Sequence, residues 1–319
     1  MITVAVTGPT GDIGRALLRR LDADPAVERV LGMARRPFDP ASLGLAKTEY
    51  RQGDVLDREG VDAFAQEADV LVHLAFIILG GREETRSINL EGSRNVFEAA
   101  RGVTRLVYTS SVAAYGFHAA NPQPLTEDVP ARGSDAHYYS AQKAELEETL
   151  RDALDGSDVE TYVFRPCIVA GGDALALVEA FPRLLRKAPL AKPVLPDPGT
   201  PFQLVHTEDV ATALAAAVRG DGEPGIYNLA GEGTIQAGDL ARALGWLTVP
   251  MPKLGVDVAA EAVGRLPFMP AQASWINALR VPVVMDTTRA REQLGWKPRH
   301  DTRAVLADTV ASARRAGLL

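Results

Sequence analysis

A chain of 319 residues, 46% hydrophobic and 24% charged, has the composition of a folded globular protein with a sizeable core, and suits one large α/β unit or two joined ones. Its formal net charge of −7 and pI near 5.4 argue against a nucleic-acid or anionic-membrane surface. One cysteine, Cys167, leaves no internal disulfide to form, and its setting in YVFRPCIV reads as a small buried hydrophobe rather than a reactive thiol.

The first residues, MITVAVTG, carry a β-branched strand over 2–7 and none of the basic or long apolar regions of a secretory signal. DIGRALLRRLDAD follows, with Ile13, Leu17, Leu18 and Leu21 on one helical face and Arg15, Arg19 and Arg20 off it. Further strands are expected at 29–34, 70–75, 105–110 and 161–166, with helical patterns such as SINLEGSRNVFEAARG between them. The longest apolar run, 70–79, holds His73 and is far too short to span a bilayer, so a cytoplasmic protein is expected. Strands apolar almost throughout, separated by helices, indicate a parallel sheet covered on both faces, with right-handed crossovers. Beyond residue 166 prolines and glycines crowd 188–201 and 249–270, interrupted by strand-like runs at 202–207 and 225–230. The five histidines are scattered without zinc-ligand spacing, so no metal site is expected, and His137 reads as an exposed loop residue.

TVAVTGPTGDIGRALL places Gly8, Gly11 and Gly14 between the first strand and the first helix. Glycine spacing alone is a weak signal. In this context it gives a tight turn, a close backbone approach and helix N–H groups facing a pyrophosphate. The fold expected is therefore α/β: a Rossmann-type doubly wound parallel sheet over 1–166, with returning strands near 202–230, and a smaller interleaved C-terminal lobe over 167–319 for the substrate. At the end of the second strand GMARRPFD offers Arg35 and Arg36 after Ala34, with no acid before Asp39. A guanidinium suits a ribose 2′-phosphate where a carboxylate would repel it. NADP is the expected cofactor, with NAD possible.

HYYSAQK opens a helical segment over 138–154. Positions i and i+4 share a helix face, so Tyr139, not Tyr138, stands beside Lys143. A phenol with pKa near 10 is a poor acid–base at neutral pH unless a neighbouring ammonium lowers it, which is the role expected of Lys143. YTSSVAAYG, at the end of another strand, offers serine hydroxyls to a reacting oxygen.

These motifs together resemble the extended short-chain dehydrogenase/reductase family, also labelled NAD-dependent epimerase/dehydratase, over nearly the whole chain. TGPTGDIG resembles its TGxxGxxG loop, implying that Gly8, Thr10, Gly11, Asp12, Ile13 and Gly14 hold the cofactor. By the same resemblance GDVLD puts Asp54 and Val55 at the adenine, LVHLAF puts Leu74 and Ala75 near the cofactor, and INLEGSRNV adds Asn89. FRPCIVAGG places Pro166 and Ile168 near the nicotinamide. Aligned on Tyr-Gly, Ser111 falls on the catalytic Ser/Thr, and Tyr139 and Lys143, which would also hold the cofactor ribose, complete the triad.

Departures from the family pattern narrow the chemistry. Its dehydratases carry Asp-Glu after the catalytic Ser/Thr, where this chain has Val112 and Ala113. The arginine that clamps a diphosphate before the later strand is missing from PDPGTPFQLVHT, although Arg183, Arg186 and Lys187 are possible substitutes. Phe268, Met269 and Trp275 suit an apolar or mixed pocket. The expected function is an NADP(H)-dependent oxidoreductase interconverting an alcohol and a carbonyl on a small organic substrate. The alternatives are an epimerase with tightly bound NAD and a non-catalytic dinucleotide sensor. Relatives that pair through two helices make a homodimer through 84–101 and 138–154 a further expectation.

Overall fold

The computed structural model describes residues 1–78, 85–135, 137–172, 174, 194–251 and 281–319. The first half alternates β1 (Ile2–Thr7), α1 (Asp12–Asp22), β2 (Val27–Ala34), β3 (Thr48–Gln52), α2 (Arg58–Ala65), β4 (Val70–His73), α3 (Gly92–Ala99), β5 (Arg105–Thr109), α4 (Tyr138–Leu154) and β6 (Glu160–Pro166). After it come β7 (Ile168–Ala170), β8 (Val194–Asp197), β9 (Leu204–His206), α5 (Thr207–Arg219), β10 (Gly225–Leu229), α6 (Ala237–Leu244), β11 (Leu247–Pro250), α7 (Thr288–Gln293) and α8 (Thr302–Arg315).

Seven strands form one parallel sheet in the order β10-β6-β5-β4-β1-β2-β3. Alternating side chains of β1 feed two cores: Val4 and Val6 pack with Leu17, Leu21 and Leu214 of α1 and α5, while Ala5 packs with Leu71, Phe97 and Leu146 on the opposite face. Each such leucine contributes ~2 kcal/mol by leaving water. This is the doubly wound sheet expected. β2 and β3 lie on one side of β1 and β4 on the other, so the switch of direction opens a crevice at the carboxyl ends of β1 and β4.

Two expectations need correction. β3 was not anticipated, because TEYRQ is polar. It is an edge strand held by its ladder to β2 and by Tyr50, whose hydroxyl bonds the carbonyls of Ala34 and Arg36. The run 202–207 does not return to the main sheet: β9 pairs with β7 in a separate two-stranded sheet, and only β10 rejoins, beside β6. Its helix α5 nevertheless lies on α1, so the chain after 166 is woven into the first half. Arg183, Arg186, Lys187, Phe268, Met269 and Trp275 lie outside the described residues.

Candidate active site

The glycine loop is built by close approach. Gly8 has φ +77°, and a Cβ there would sit 2.7 Å from the backbone nitrogen of Ala75; one at Gly14 would sit 2.4 Å from the Gly8 carbonyl oxygen. The loop thus lies directly on residues 74–75 at the end of β4. Gly11 differs: an added Cβ would meet only the Gly8 oxygen, at 3.6 Å, so packing does not demand glycine there. Gly11 is the exposed N-cap of α1 and supplies no side-chain cap. An exposed, uncapped helix start with a positive dipole end is a fit for phosphate. Arg15 stiffens the turn, donating to the Thr10 carbonyl at 3.2 Å and pairing with Asp12 at 2.9 Å; Ile13 packs partly against the core.

At the other end of the crevice, Arg35 and Arg36 stand exposed where β2 ends. Their backbone is fixed, since Gln52 Nε2 donates to the Arg35 carbonyl at 2.9 Å and Tyr50 to that of Arg36. Among the described residues neither guanidinium has an ion-pair partner. Asp54, after β3, accepts from the Leu56 amide at 3.1 Å. Val55 is buried under Gly92, and Asn95 Nδ2 holds its carbonyl at 2.9 Å.

The structure brings Ser111, Tyr139 and Lys143 together. Ser111 caps a short 3₁₀ turn, its Oγ accepting from the Ala113 amide at 3.2 Å, and its hydroxyl pulls the Tyr139 pKa down. Ser140 Oγ donates to the Ala113 carbonyl at 2.6 Å and so pins the start of α4 against the serine segment. Lys143 Nζ donates to the Thr109 carbonyl at 3.0 Å and lies 3.9 Å from the Phe76 ring centre, a cation–π contact. Burial pushes Tyr139 up to about 12, against the pull of Ser111, and pushes Lys143 down to about 7, against the pull of Glu147. In the protein alone, desolvation of the phenolate thus outweighs the pull of Ser111.

Tyr138 turns away, its hydroxyl donating to the Ile78 carbonyl. His137 corrects another expectation: it is wholly buried, caps α4 by accepting from the Ser140 amide at 3.3 Å, and is held neutral by burial, its pKa down to about 4. Asn89 is buried with its amide engaged by the protein. It accepts from the Ile77 amide at 2.8 Å and donates to the Ile77 carbonyl and to Gln142, both at 3.0 Å, and so fixes the strand-like stretch after Leu74 and Ala75. Pro166 ends β6 buried, and Ile168 opens β7 partly exposed.

Several groups at the site escape sequence reasoning. His73 bridges Thr7 Oγ1 at 2.7 Å and Ser93 Oγ at 2.8 Å, tying β1, β4 and α3 together; burial holds it neutral, its pKa down to about 3. Ser110 and Glu147 form a buried pair with Arg165 behind Lys143. Glu147 alone had a legible signal, one further helical turn beyond Tyr139 and Lys143.

Known proteins are similar to this chain in sequence and fold. The model of the NAD dependent epimerase/dehydratase family matches residues 4–230. The chain is 28% identical to a ceramide reductase of Caulobacter vibrioides over 306 residues, covering 92% of this chain and 86% of the relative. It is equally 28% identical to a UDP-glucose 4-epimerase of Azospirillum brasilense, covering 93% and 88%. In fold it is similar to the Bordetella bronchiseptica enzyme WbmH in complex with NAD+, with TM-score 0.73, 20% identity, and coverage of 99% of this chain and all of the other. No helix among the described residues is long and apolar enough to cross a membrane. The chain belongs to the NAD-dependent epimerase/dehydratase family, as an NAD(P)-dependent enzyme of the extended short-chain dehydrogenase/reductase type.

Proposed function

We propose that this enzyme is an NADP(H)-preferring oxidoreductase that interconverts an alcohol and a carbonyl on a small organic substrate. The observation that carries the reading is the pair Arg35 and Arg36, exposed at the end of β2 without an acid beside them or an ion-pair partner among the described residues. Such a pair favours a 2′-phosphate and gives no carboxylate to a 2′-hydroxyl. An epimerase returns the hydride to the same molecule and has no use for discriminating reduced NADPH from NAD; a net reductase does.

The bound nicotinamide would supply or take the hydride. Ser111 would hold the reacting oxygen, Tyr139 pass its proton to that oxygen in reduction or remove it in oxidation, and Lys143 bind the ribose hydroxyls. The Tyr139 proton, held up to about 12, is present at neutral pH, which supports the reductive direction. Buried Val112 and Ala113 after Ser111 offer no acid or base for dehydration.

A second reading, an epimerase acting on a nucleotide sugar, is favoured by the Azospirillum relative. Incubation with NADPH or NADH and a panel of aldehydes, ketones and nucleotide sugars separates the two. Stoichiometric loss of nicotinamide absorbance, faster with NADPH, is expected; sugar conversion with no net absorbance change establishes the epimerase instead.

A further inference from the structure

On the side of Lys143 away from Tyr139 lies a set of buried polar groups that the reaction as described does not use. Lys143 Nζ donates to the Tyr108 hydroxyl at 3.5 Å. Ser110 Oγ donates to Glu147 Oε1 at 2.6 Å. Arg165 grips the same carboxylate with two donors, Nε to Oε1 at 2.9 Å and Nη2 to Oε2 at 2.5 Å, while Nη1 reaches the Val129 carbonyl at 3.3 Å and the guanidinium stacks 4.4 Å over Tyr115. Glu147 and Arg165 are 7% and 2% exposed. Tyr139, Lys143 and Glu147 succeed one another at four-residue intervals, so all three occupy one stripe of α4.

A buried Arg–Glu pair seldom stabilises a fold more than apolar residues of the same volume. Its placement one helical turn from the Lys143 ammonium gives it a different use. We infer that Glu147, fixed by Arg165 and Ser110, is a positioning residue that holds the Lys143 ammonium in place on the Tyr139 side of the site. This rests on Tyr139 and Lys143 being the acid–base pair.

The charged and titratable groups around Lys143 support this assignment. Tyr139 and Glu147 face it from its own helix, Tyr108 from β5 and His73 from β4, with Arg165 of β6 behind Glu147. Tyr108 is held protonated and His73 neutral by burial. Thr109 offers only a carbonyl and Phe76 only a ring face. Among them Glu147 is the anion that opposes the desolvation of the ammonium.

The chain has six lysines, so selective 15N- and 13C-lysine labelling gives a sparse NMR spectrum in which Lys143→Arg assigns the signal. Its midpoint is read directly, without substrate, in the wild-type protein, Ser110→Ala and Glu147→Gln, each checked for native circular dichroism. Glu147→Gln is expected to lower the Lys143 midpoint by about one pH unit, a tenfold loss of ammonium stability, and Ser110→Ala by roughly a third of that. The alkaline limb of the kcat/KM profile should move down with it. A midpoint unmoved in folded Glu147→Gln overturns the inference. If that variant does not fold, Ser110→Ala removes one bond that holds Glu147, leaves the ion pair intact and decides alone: a lowered midpoint supports the inference and an unmoved one overturns it. Because the NMR midpoint needs no turnover, a wrong substrate assignment leaves this result standing.

Discussion

At the β2 end of the crevice Arg35 and Arg36 stand in water, while at the α4 end Lys143, Glu147 and Arg165 are each no more than 7% exposed. A phosphate between the wet cations would gain charge-assisted hydrogen bonds at little desolvation. Burial pushes Lys143 down while Glu147 holds Arg165 up, and buried charges of this kind need partners on every side. Selectivity between cofactors thus belongs to the exposed end, and reactivity to the buried end. Each end can be broken separately.

The buried end gives the largest effect. Tyr139→Phe removes the hydroxyl that exchanges the proton, leaving the ring contact with Phe76. Turnover is expected to fall roughly 10³-fold while dinucleotide affinity, measured by calorimetry, stays within about twofold. Turnover that survives would remove Tyr139 from the mechanism and with it the contrast between the ends.

The exposed end comes next. Replacing Arg35 with Asp and Arg36 with Ile should swing the ratio of kcat/KM for NADPH over NADH by about 10²-fold toward NADH, since each charge-assisted hydrogen bond contributes ~1.5–3 kcal/mol. The swing should shrink at high salt, because these groups are solvated. An unchanged ratio would make both arginines solvated bystanders.

Legibility in the sequence follows the same division. The glycine loop, the apolar strands and the Tyr139/Lys143 spacing are local patterns, and the structure places them in the elements expected. Edge strand β3 hides because its residues are polar and its fixation comes from cross-strand bonds. His137 misleads because a capping histidine and an exposed loop histidine look alike in sequence, whereas the fold packs its ring among those of Phe117, Tyr138 and Tyr139. Asn89 is an element-to-element clamp on Ile77 and Gln142, and the Glu147–Arg165 pair joins residues 18 positions apart; such contacts exist only after folding.

His73 tests what burial costs at the reactive end. Its folded pKa, near 3, lies below the ordinary 6.5, so as pH falls below about 6.5 the unfolded chain takes up a proton that the folded protein refuses. Stability therefore drops with acid across this window and levels off below about 3. Between pH 6.5 and 5 the loss from this residue should be about 2 kcal/mol. Urea melts at both pH values should show a shallower drop in His73→Asn; an equal drop would mean the imidazole already accepts its proton in the fold.

The smallest effect sharpens the assignment within the reactive end. Tyr138 and Tyr139 are adjacent and both buried, yet the Tyr138 hydroxyl donates to the Ile78 carbonyl while the Tyr139 phenol feels the pull of Ser111. Tyr138→Phe deletes one hydrogen bond to a loop backbone, at a cost of ~1 kcal/mol in thermal or urea stability, and should leave kcat within about twofold. If Tyr138→Phe instead matched Tyr139→Phe in lost turnover, the i to i+4 spacing from Lys143 would no longer select the proton donor, and the segment carrying Ile78 would itself have to be counted among the parts that shape the site.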